Sequence, residues 1–249
     1  MNLEGKVAIV TGGTGGLGWR ICKKLSAKKM KIVLVYLNSK DKAEGYVAEL
    51  KKEGGDAVAL AADITTEAGI TSMMDTAISR FGGVDALVLD AAFNQFVKFD
   101  ELEKLTPELW NKIISYNLTS PFLAMRIIGA EMKRRGGGRI VTISSNAGIY
   151  PSGSSIAYCV SKAGLIHLTH CMAVSLAPTV LVNGIAPGLM EGTRMTANLS
   201  PEYADSVRKS TLIKKAADRD DVAEAVRLFI EADTITGQNL VVDGGKVFH

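Results

Sequence analysis

The sequence predicts an α/β fold, a doubly wound parallel sheet of about seven strands with helices on both faces. Short apolar runs rich in Val and Ile recur along the chain, and stretches with a helical period of about 3.6 residues separate them. Strands that are continuously hydrophobic, rather than alternating, are typical of a sheet that is covered on both faces. We find no linker, repeat or low-complexity segment, so residues 1–249 are expected to form a single domain.

The strands and helices can be assigned in order. Seven segments are predicted as strands, namely residues 7–10, 31–37, 57–61, 86–89, 139–144, 180–185 and 239–242. Amphipathic helical faces lie between them, for example residues 43–50 and 70–81. The pairs Gly54-Gly55 and Gly82-Gly83 are expected to end these two helices, because glycine adopts positive φ at little cost.

Composition and charge narrow the class of protein. The 29 Lys and Arg residues barely exceed the 26 Asp and Glu residues and are scattered, so no nucleic-acid partner is expected. The apolar runs are shorter than the roughly 20 residues of a membrane span. The amino terminus leads straight into the first predicted strand without a secretory signal, so a cytoplasmic location is expected. Cys22, Cys159 and Cys171 are widely spaced, which predicts packed, reduced thiols rather than a disulfide or a metal site.

A glycine-rich turn, Thr11-Gly12-Gly13-Thr14-Gly15-Gly16-Leu17-Gly18, joins the first predicted strand to a helix. Such a turn directs unpaired backbone N–H groups and the positive end of the helix dipole at one point, and glycines let a pyrophosphate approach. This arrangement favours a dinucleotide site; a tight turn without a ligand is the alternative. The predicted contacts are Gly12, Thr14, Gly15, Gly16, Leu17 and Gly18.

The end of the second predicted strand bears on the choice of dinucleotide. An acidic residue there would bind the adenosine ribose hydroxyls and repel a 2′-phosphate. The chain instead has Asn38, Ser39 and Lys40, which can all donate hydrogen bonds to a phosphate. This favours NADP(H) over NAD(H), although Lys40 could equally be a solvated charge at a helix start.

Tyr158 and Lys162 are four residues apart on a predicted helix and therefore share one face. A neighbouring ammonium group is expected to lower the pKa of the phenol, which would allow proton transfer near neutral pH. An ordinary surface pair has the same spacing. Ser145, at a predicted strand end thirteen residues before Tyr158, makes the catalytic interpretation stronger.

Over essentially its whole length the chain resembles the short-chain dehydrogenase/reductase family, and in particular its carbonyl and 3-oxoacyl reductases. The resemblance lies in the T-G-x-x-x-G-x-G turn, the Ser145 and Tyr158-x-x-x-Lys162 spacing, the segment 182–188 with Thr193, and the closing segments 235–238 and 242–245. It implies a Rossmann fold and a homotetramer assembled through the helices that contain Asn117 and Tyr158.

The resemblance also implies roles for individual residues. Tyr158 would exchange a proton with a carbonyl or alcohol, Lys162 would hold the nicotinamide ribose, and Ser145 would position the substrate oxygen. Further cofactor contacts are implied at Asp63, Ile64, Asp90, Ala91, Ala92, Pro187, Gly188, Leu189 and Thr193. A substrate lid is expected near residues 189–215, with Gly192 as a hinge.

A special role for Asn117 can also be predicted from the position of a proline, independently of the family resemblance. Thr106 and Pro107 predict a helix start, and Pro121 falls inside the continuation of that helix. Because proline has no N–H, the carbonyl four residues back, that of Asn117, should be free and the helix bent there. The family resemblance assigns the matching asparagine to a proton relay; a simple packing kink is the alternative.

The segment after the fourth predicted strand departs from the family pattern of Asn-Asn-Ala-Gly. It reads Leu89-Asp90-Ala91-Ala92, so a carboxylate replaces an amide and alanine replaces a glycine. Weaker or reoriented cofactor binding is expected. The departure leaves open a non-catalytic dinucleotide-binding sensor or scaffold, and a structural subunit whose long helices serve only assembly is a further alternative. An NADP(H)-dependent enzyme that uses Asn117, Ser145, Tyr158 and Lys162 is favoured.

Overall fold

The computed structural model describes residues 1–197 and 199–248. Seven strands are present in these residues: β1 (Val7–Thr11), β2 (Lys31–Tyr36), β3 (Asp56–Ala61), β4 (Ala86–Leu89), β5 (Gly138–Ile143), β6 (Val180–Pro187) and β7 (Asn239–Val242). The helices are α1 (Gly16–Ala27), α2 (Lys40–Lys52), α3 (Glu67–Phe81), α4 (Pro107–Ile114), α5 (Ser120–Arg134), α6 (Ile156–Leu176), α7 (Pro201–Ser210) and α8 (Arg219–Glu231). Asn198 of the predicted lid and His249 of the predicted domain lie outside the described residues.

All strands are parallel and follow the order β3-β2-β1-β4-β5-β6-β7. The predicted fold class is confirmed; the bounds of β4 and β7 are as predicted, and those of the other five strands differ by one or two residues. The largest difference is in β6, which continues to Pro187 because that residue is in register with Val242 of β7. The chain order reverses between β1 and β4, so their carboxyl ends form the crevice in which sheets of this kind bind ligands.

The core consists of two layers, one on each face of the sheet. Successive residues of β1 point to opposite faces, so Ala8 and Val10 pack with α1, α2 and α8. Val7 and Ile9 pack with α3, α5 and α6 on the other face. This explains why the strands are hydrophobic without alternation.

Cysteine placement agrees only in part with the sequence-based expectation. Cys22 and Cys159 are buried free thiols, as predicted, whereas Cys171 is exposed. The prediction that all three are packed is therefore wrong. Cys171 lies on α6, in which apolar residues occur on every side of the helix, so apolar neighbours in sequence do not define the buried face.

Helix α6 is long and apolar enough to cross a membrane when only length and composition are considered. The apolar runs of the sequence did not indicate this because polar residues interrupt them. In the fold α6 packs against β6 and α5, and it carries the buried residues Lys162 and Thr169. We therefore interpret α6 as a core helix.

Candidate active site

The glycine turn lies between β1 and α1 and is held by backbone hydrogen bonds within the turn and to β2. The Gly13 N–H donates to the Val35 carbonyl at 2.9 Å, and the Gly15 N–H donates to the Gly12 carbonyl at 2.8 Å. Gly12 has a φ of 69°, which favours glycine. A Cβ on Gly18 would clash with the Gly12 carbonyl oxygen and lie 2.9 Å from its carbon. The turn can take this shape only with glycine at these positions.

The amino terminus of α1 fits an anionic group. Among the described residues no side chain caps α1, and its first turn contains no acidic residue. The first N–H groups of a helix have no partner within the helix and attract negative charge. Leu17, by contrast, is buried in the core, so only its backbone faces the turn. The backbone N–H groups of Gly16 and Leu17 can therefore hold a pyrophosphate.

Thr11, which we did not single out from the sequence, joins the two sides of the crevice. Its hydroxyl accepts hydrogen bonds from the backbone N–H groups of Asp90 and Ala91, both at 3.1 Å. Ala91 in turn lies so close to Gly12 that a Cβ on that glycine would be 3.0 Å from the Ala91 Cα. The sequence did offer one signal for this role: Thr11 is a polar residue at the end of an otherwise apolar strand.

Asp90 is placed directly beneath the glycine turn. A Cβ on Gly15 would lie 3.9 Å from its carboxylate oxygen, and the backbone N–H of Gly18 stabilises the carboxylate. Burial raises the pKa of Asp90 to about 7, and the nearby Lys162 ammonium opposes that rise. The carboxylate that departs from the family pattern therefore lies inside the crevice.

Tyr158 and Ser145 meet at the carboxyl end of β5. Ser155 caps α6 by accepting a hydrogen bond from the Tyr158 N–H at 3.1 Å, which starts the helix in the right register. The Ser145 side chain lies beside the Tyr158 hydroxyl, and its polar group favours the phenolate. Two of the predicted catalytic side chains are thus adjacent.

The expectation that Lys162 lowers the pKa of Tyr158 is wrong for the structure as it stands. Burial raises the pKa of Tyr158 to about 12, and the polar group of Ser145 only partly offsets this rise. Lys162 Nζ lies 5.7 Å from the centroid of the phenol ring, and it donates to the Ile143 carbonyl at 2.9 Å. The ammonium is close to the ring but is directed at the end of β5.

Lys162 is nearly inaccessible, with 3% of its surface exposed. Burial lowers its pKa to about 8, and the Asp90 carboxylate opposes that fall. A buried lysine that keeps its charge near neutral pH needs counter-charges or hydrogen-bond acceptors around it. Lys162 is therefore ready to bind polar groups that enter the crevice.

Asn117 lies in a π turn, Ser115–Thr119, between α4 and α5. The predicted interruption of the helix is confirmed: the Ser120 N–H donates to the Ser115 carbonyl five residues back. That the Asn117 carbonyl is free for a relay stays a prediction. The predicted start of α4 is also confirmed, since Thr106 caps it and Pro107 is in its first turn.

The side chain of Asn117 has a role that the sequence did not reveal. Its amide oxygen accepts from the Phe93 N–H and its amide nitrogen donates to the Phe93 carbonyl, both at 2.9 Å. The same nitrogen donates to the Ser161 hydroxyl at 3.1 Å, and that hydroxyl donates to the Tyr158 carbonyl at 2.7 Å. Asn117 thus connects the loop after β4 to the start of α6.

Replacing Asn117 with alanine is expected to reduce the free energy of unfolding by about 2–4 kcal/mol, because both backbone groups of Phe93 lose their partner. Urea unfolding followed by circular dichroism measures this. Asn111→Ala, at an exposed position of α4, is the matched control and should change stability by less than about 0.5 kcal/mol. Equal effects of the two substitutions would contradict the anchoring role.

The predicted 2′-phosphate residues Asn38, Ser39 and Lys40 are all exposed at the carboxyl end of β2. Lys40 begins α2, and its ammonium lies 3.8 Å from Glu44 in a solvent-exposed pair. The structure places these three donors at the edge where the crevice opens. The Asp63 carboxylate instead accepts hydrogen bonds from the Thr65 N–H and hydroxyl, at 2.9 and 2.7 Å. The roles of Asp63 and Ile64 beside an adenine stay predictions.

The segment after β6 reaches over the glycine turn. The Gly188 N–H donates to the Val242 carbonyl at 3.0 Å, and the Leu189 carbonyl accepts from Ala217 at 2.9 Å. A Cβ on Gly16 would lie 2.5 Å from the Gly192 carbonyl oxygen and 3.2 Å from the Thr193 Cα. Residues predicted to flank the nicotinamide are therefore brought to the same crevice as the turn.

Arg219 is a second residue that sequence reasoning missed. Its guanidinium donates to the Gly192 carbonyl at 2.9 Å and would lie 3.3 Å from a Cβ on Gly16. It therefore holds the start of the predicted lid against the turn. Because Arg219 is far from both glycines along the chain, no local motif could have indicated this contact.

His167 and His170 lie edge to face, with their ring centroids 6.1 Å apart. Within the described part of the chain, no group of three or more His, Cys, Asp or Glu residues could hold a metal ion.

Comparison with known proteins identifies the family. The sequence model described as short chain dehydrogenase matches residues 6–204. A 2,5-dichloro-2,5-cyclohexadiene-1,4-diol dehydrogenase of Sphingobium indicum is 35% identical over 98% of this chain and 96% of its own length. A 3-oxoacyl-[acyl-carrier-protein] reductase of Synechocystis is 33% identical over 98% of each chain.

A solved structure of similar sequence has the same fold. The crystal structure of an NAD⁺-bound xylitol dehydrogenase superposes with a TM-score of 0.89 at 25% identity and covers 98% of this chain and all of its own. The glycine turn, the Ser145–Tyr158 pair and the buried Lys162 lie in one crevice of the same fold. The chain belongs to the short-chain dehydrogenase/reductase family and is an oxidoreductase that transfers hydride between a nicotinamide cofactor and a carbonyl or alcohol substrate.

Proposed function

We propose that the protein is an NADP(H)-dependent carbonyl reductase or secondary-alcohol dehydrogenase in which Asn117, Ser145, Tyr158 and Lys162 form the catalytic group. The observation that carries the proposal is that Tyr158 lies beside Ser145 and 5.7 Å from the ammonium of the buried Lys162, in the crevice at the glycine turn. When bound, the nicotinamide supplies or accepts the hydride at the substrate carbon.

The protein would hold the dinucleotide with its own backbone and a few side chains. The pyrophosphate is assigned to the turn, Gly12 to Gly18, and the 2′-phosphate to Asn38, Ser39 and Lys40. Asp90, Ala91 and Ala92 line the opposite wall, and Pro187, Gly188, Leu189 and Thr193 close the nicotinamide end. We also propose that residues 1–249 form a single domain, in which the segment near residues 189–215 acts as a substrate lid.

Tyr158 is the proposed proton donor and acceptor. In reduction its hydroxyl would donate a proton to the substrate oxygen as that oxygen gains charge, while Ser145 donates a hydrogen bond to the same oxygen. Burial holds the pKa of Tyr158 high. A shift of the Lys162 ammonium from the Ile143 carbonyl toward the phenol oxygen would stabilise the phenolate. Asn117 keeps the start of α6 in place and is the proposed relay toward solvent.

The proposed substrate is a partly apolar carbonyl compound or secondary alcohol that carries an acidic group. Leu189, Met190, Met195 and Leu199 provide apolar surface in the lid segment, and Arg194, Lys214 and Lys215 provide positive charge. The relative from Synechocystis is named for a 3-oxoacyl substrate on a carrier protein, which supports acyl thioesters as the first class to test.

A panel of 3-oxoacyl thioesters, simple ketones and sugars should be assayed with NADPH and with NADH, following cofactor absorbance. We expect turnover of at least one ketone or thioester, and faster turnover with NADPH. Failure to turn over any member of the panel by a protein that binds the cofactor would favour the sensor or scaffold alternative. A preference for NAD(H) of about tenfold or more would overturn the cofactor assignment.

Lys40→Gln tests the assignment of NADP(H) as the cofactor. Loss of one charge-assisted hydrogen bond to the 2′-phosphate should weaken NADPH binding about tenfold and leave NADH binding within about twofold. Fluorescence titration measures both affinities. Lys52→Gln, at the far end of α2, is the control and should change neither. Equal affinity of the Lys40 variant and the wild type for NADPH would show that Lys40 is only a solvated charge.

A homotetramer assembled through α4, α5 and α6 is proposed with this function. Large apolar side chains on two of these helices are exposed in the single chain, including Phe122 at 41% and Val174 at 82%. Such exposure is typical of surfaces that a partner covers. Light scattering tests the assembly. Cell fractionation tests the expected cytoplasmic location and the expected independence from membranes and nucleic acid.

A further inference from the structure

Asp90 places a negative charge next to the site that the proposed function assigns to a second anion, the cofactor pyrophosphate. The N–H of Gly18, in the first turn of α1, stabilises its carboxylate. The carboxylate also lies within 3.9 Å of a Cβ position on Gly15. The same helix end is the proposed pyrophosphate site. Two anions would therefore compete for one helix terminus and for the electrostatic potential that it provides.

Few cations face this pair of anions: the Arg219 guanidinium lies on the Gly16 side of the turn, and one lysine acts on Asp90. Lys162, on α6, is the cation that acts on Asp90, and it hydrogen-bonds the Ile143 carbonyl. Among the described residues no salt bridge joins the two side chains. Burial raises the pKa of Tyr158 on α6 and that of Cys22 on α1, and the Asp90 carboxylate raises both further, so both groups stay neutral near pH 7.

From this cluster, and resting on the proposed function, we propose that Asp90 is a positioning residue that takes up a proton from solvent when a nicotinamide dinucleotide binds at the glycine turn. The neutral carboxyl group keeps its place under the turn and no longer repels the phosphates. Dinucleotide binding is then coupled to pH. A chain with asparagine at this position has no such coupling.

The sign and the size of the coupling follow from the charges. Burial already raises the pKa of Asp90 to about 7, and a bound pyrophosphate would raise it further. Below pH 7 the carboxyl group is largely protonated, so affinity should vary little. Above pH 7 the affinity should fall, by up to about tenfold per pH unit, until the pKa of the complex is reached. At pH 7.5 binding should take up about 0.7 proton.

The experiment is calorimetric titration of the intact protein with NADPH at about pH 7.5 in two buffers of different ionisation enthalpy, such as PIPES and Tris. The difference in apparent enthalpy gives the number of protons taken up. Repeating the calorimetric titration with NADH, which has no 2′-phosphate, excludes proton uptake by that phosphate as the source of the signal. Infrared difference spectra on adding NADPH then report whether a carboxyl group becomes protonated. Asp90→Asn is the test variant, and Asp75→Asn, exposed on α3, is the matched control.

We expect wild type and the Asp75 variant to take up most of a proton and to gain a carboxyl band. The Asp90 variant should lack the band and bind NADPH about tenfold more tightly than wild type at pH 8. Binding without proton uptake would overturn this inference and leave the proposed function intact. Uptake that is equal in the Asp90 variant, with no band in wild type, would assign the proton to another group and also overturn it. Absence of dinucleotide binding would overturn both proposals.

Discussion

Tyr158→Phe is expected to lower kcat by about a hundredfold to ten-thousandfold while the affinity for NADPH stays within about twofold. The substitution removes the one hydroxyl that is placed to exchange a proton with the substrate oxygen. It keeps the ring that packs beside Lys162 and the helix cap at Ser155. Steady-state rates with the best ketone or thioester, together with fluorescence titration of NADPH, measure both quantities.

Tyr150→Phe provides the control for this substitution. Tyr150 is 54% exposed and lies outside the Ser145–Tyr158 pair, so its loss should leave kcat within about twofold. A Tyr158 variant that retains more than about a tenth of the wild-type rate would remove Tyr158 from the mechanism. A variant that loses NADPH binding as well would show instead that the crevice has been disturbed.

Gly18→Ala is expected to weaken NADPH binding about a hundredfold and to cost about 2–3 kcal/mol of stability. The added methyl group would clash with the Gly12 carbonyl oxygen and lie 3.0 Å from the Gly13 Cα. Both contacts are with backbone, so the turn must open to relieve them. Opening the turn would move the N–H groups of α1 away from the pyrophosphate and would disturb the contact of Gly18 with Asp90.

Gly45→Ala is the control that separates the clash caused by Gly18→Ala from the effect of alanine on helix propensity. Gly45 lies inside α2 with nothing within 4 Å of a Cβ, so alanine should stabilise the protein by about 0.4–1 kcal/mol and leave binding unchanged. Thermal unfolding and NADPH titration of both variants make the comparison. If Gly18→Ala bound NADPH as tightly as wild type, the turn would not be the pyrophosphate site.

Local patterns were sufficient for the strands and for the Asn117 interruption. A parallel strand buried on both faces must be apolar throughout, so strand positions can be recognised without the tertiary structure. Pro121 removes one N–H from a helical ladder wherever the helix packs, so the π turn had a local cause. Thr106 caps α4 through a contact three residues away, as the sequence predicts.

Contacts between distant segments could not be predicted in this way. Arg219 reaches Gly192, and Asn117 binds Phe93, through side chains whose partners are set by how the loops pack. Lys162 could be placed on the same helical face as Tyr158 from their spacing, but the direction of its ammonium depends on the Ile143 carbonyl at the end of a separate strand.

The sequence by itself determined the strands, the order of the motifs and the residue types that can carry out proton and phosphate chemistry, because these depend on hydrophobic period, spacing and side-chain chemistry. Only the tertiary structure decided the charge state of those groups. Burial raises the pKa of Tyr158 to about 12 and that of Asp90 to about 7, and it lowers that of Lys162 to about 8. Desolvation depends on what surrounds a group in space, and that environment comes from segments far apart in the chain.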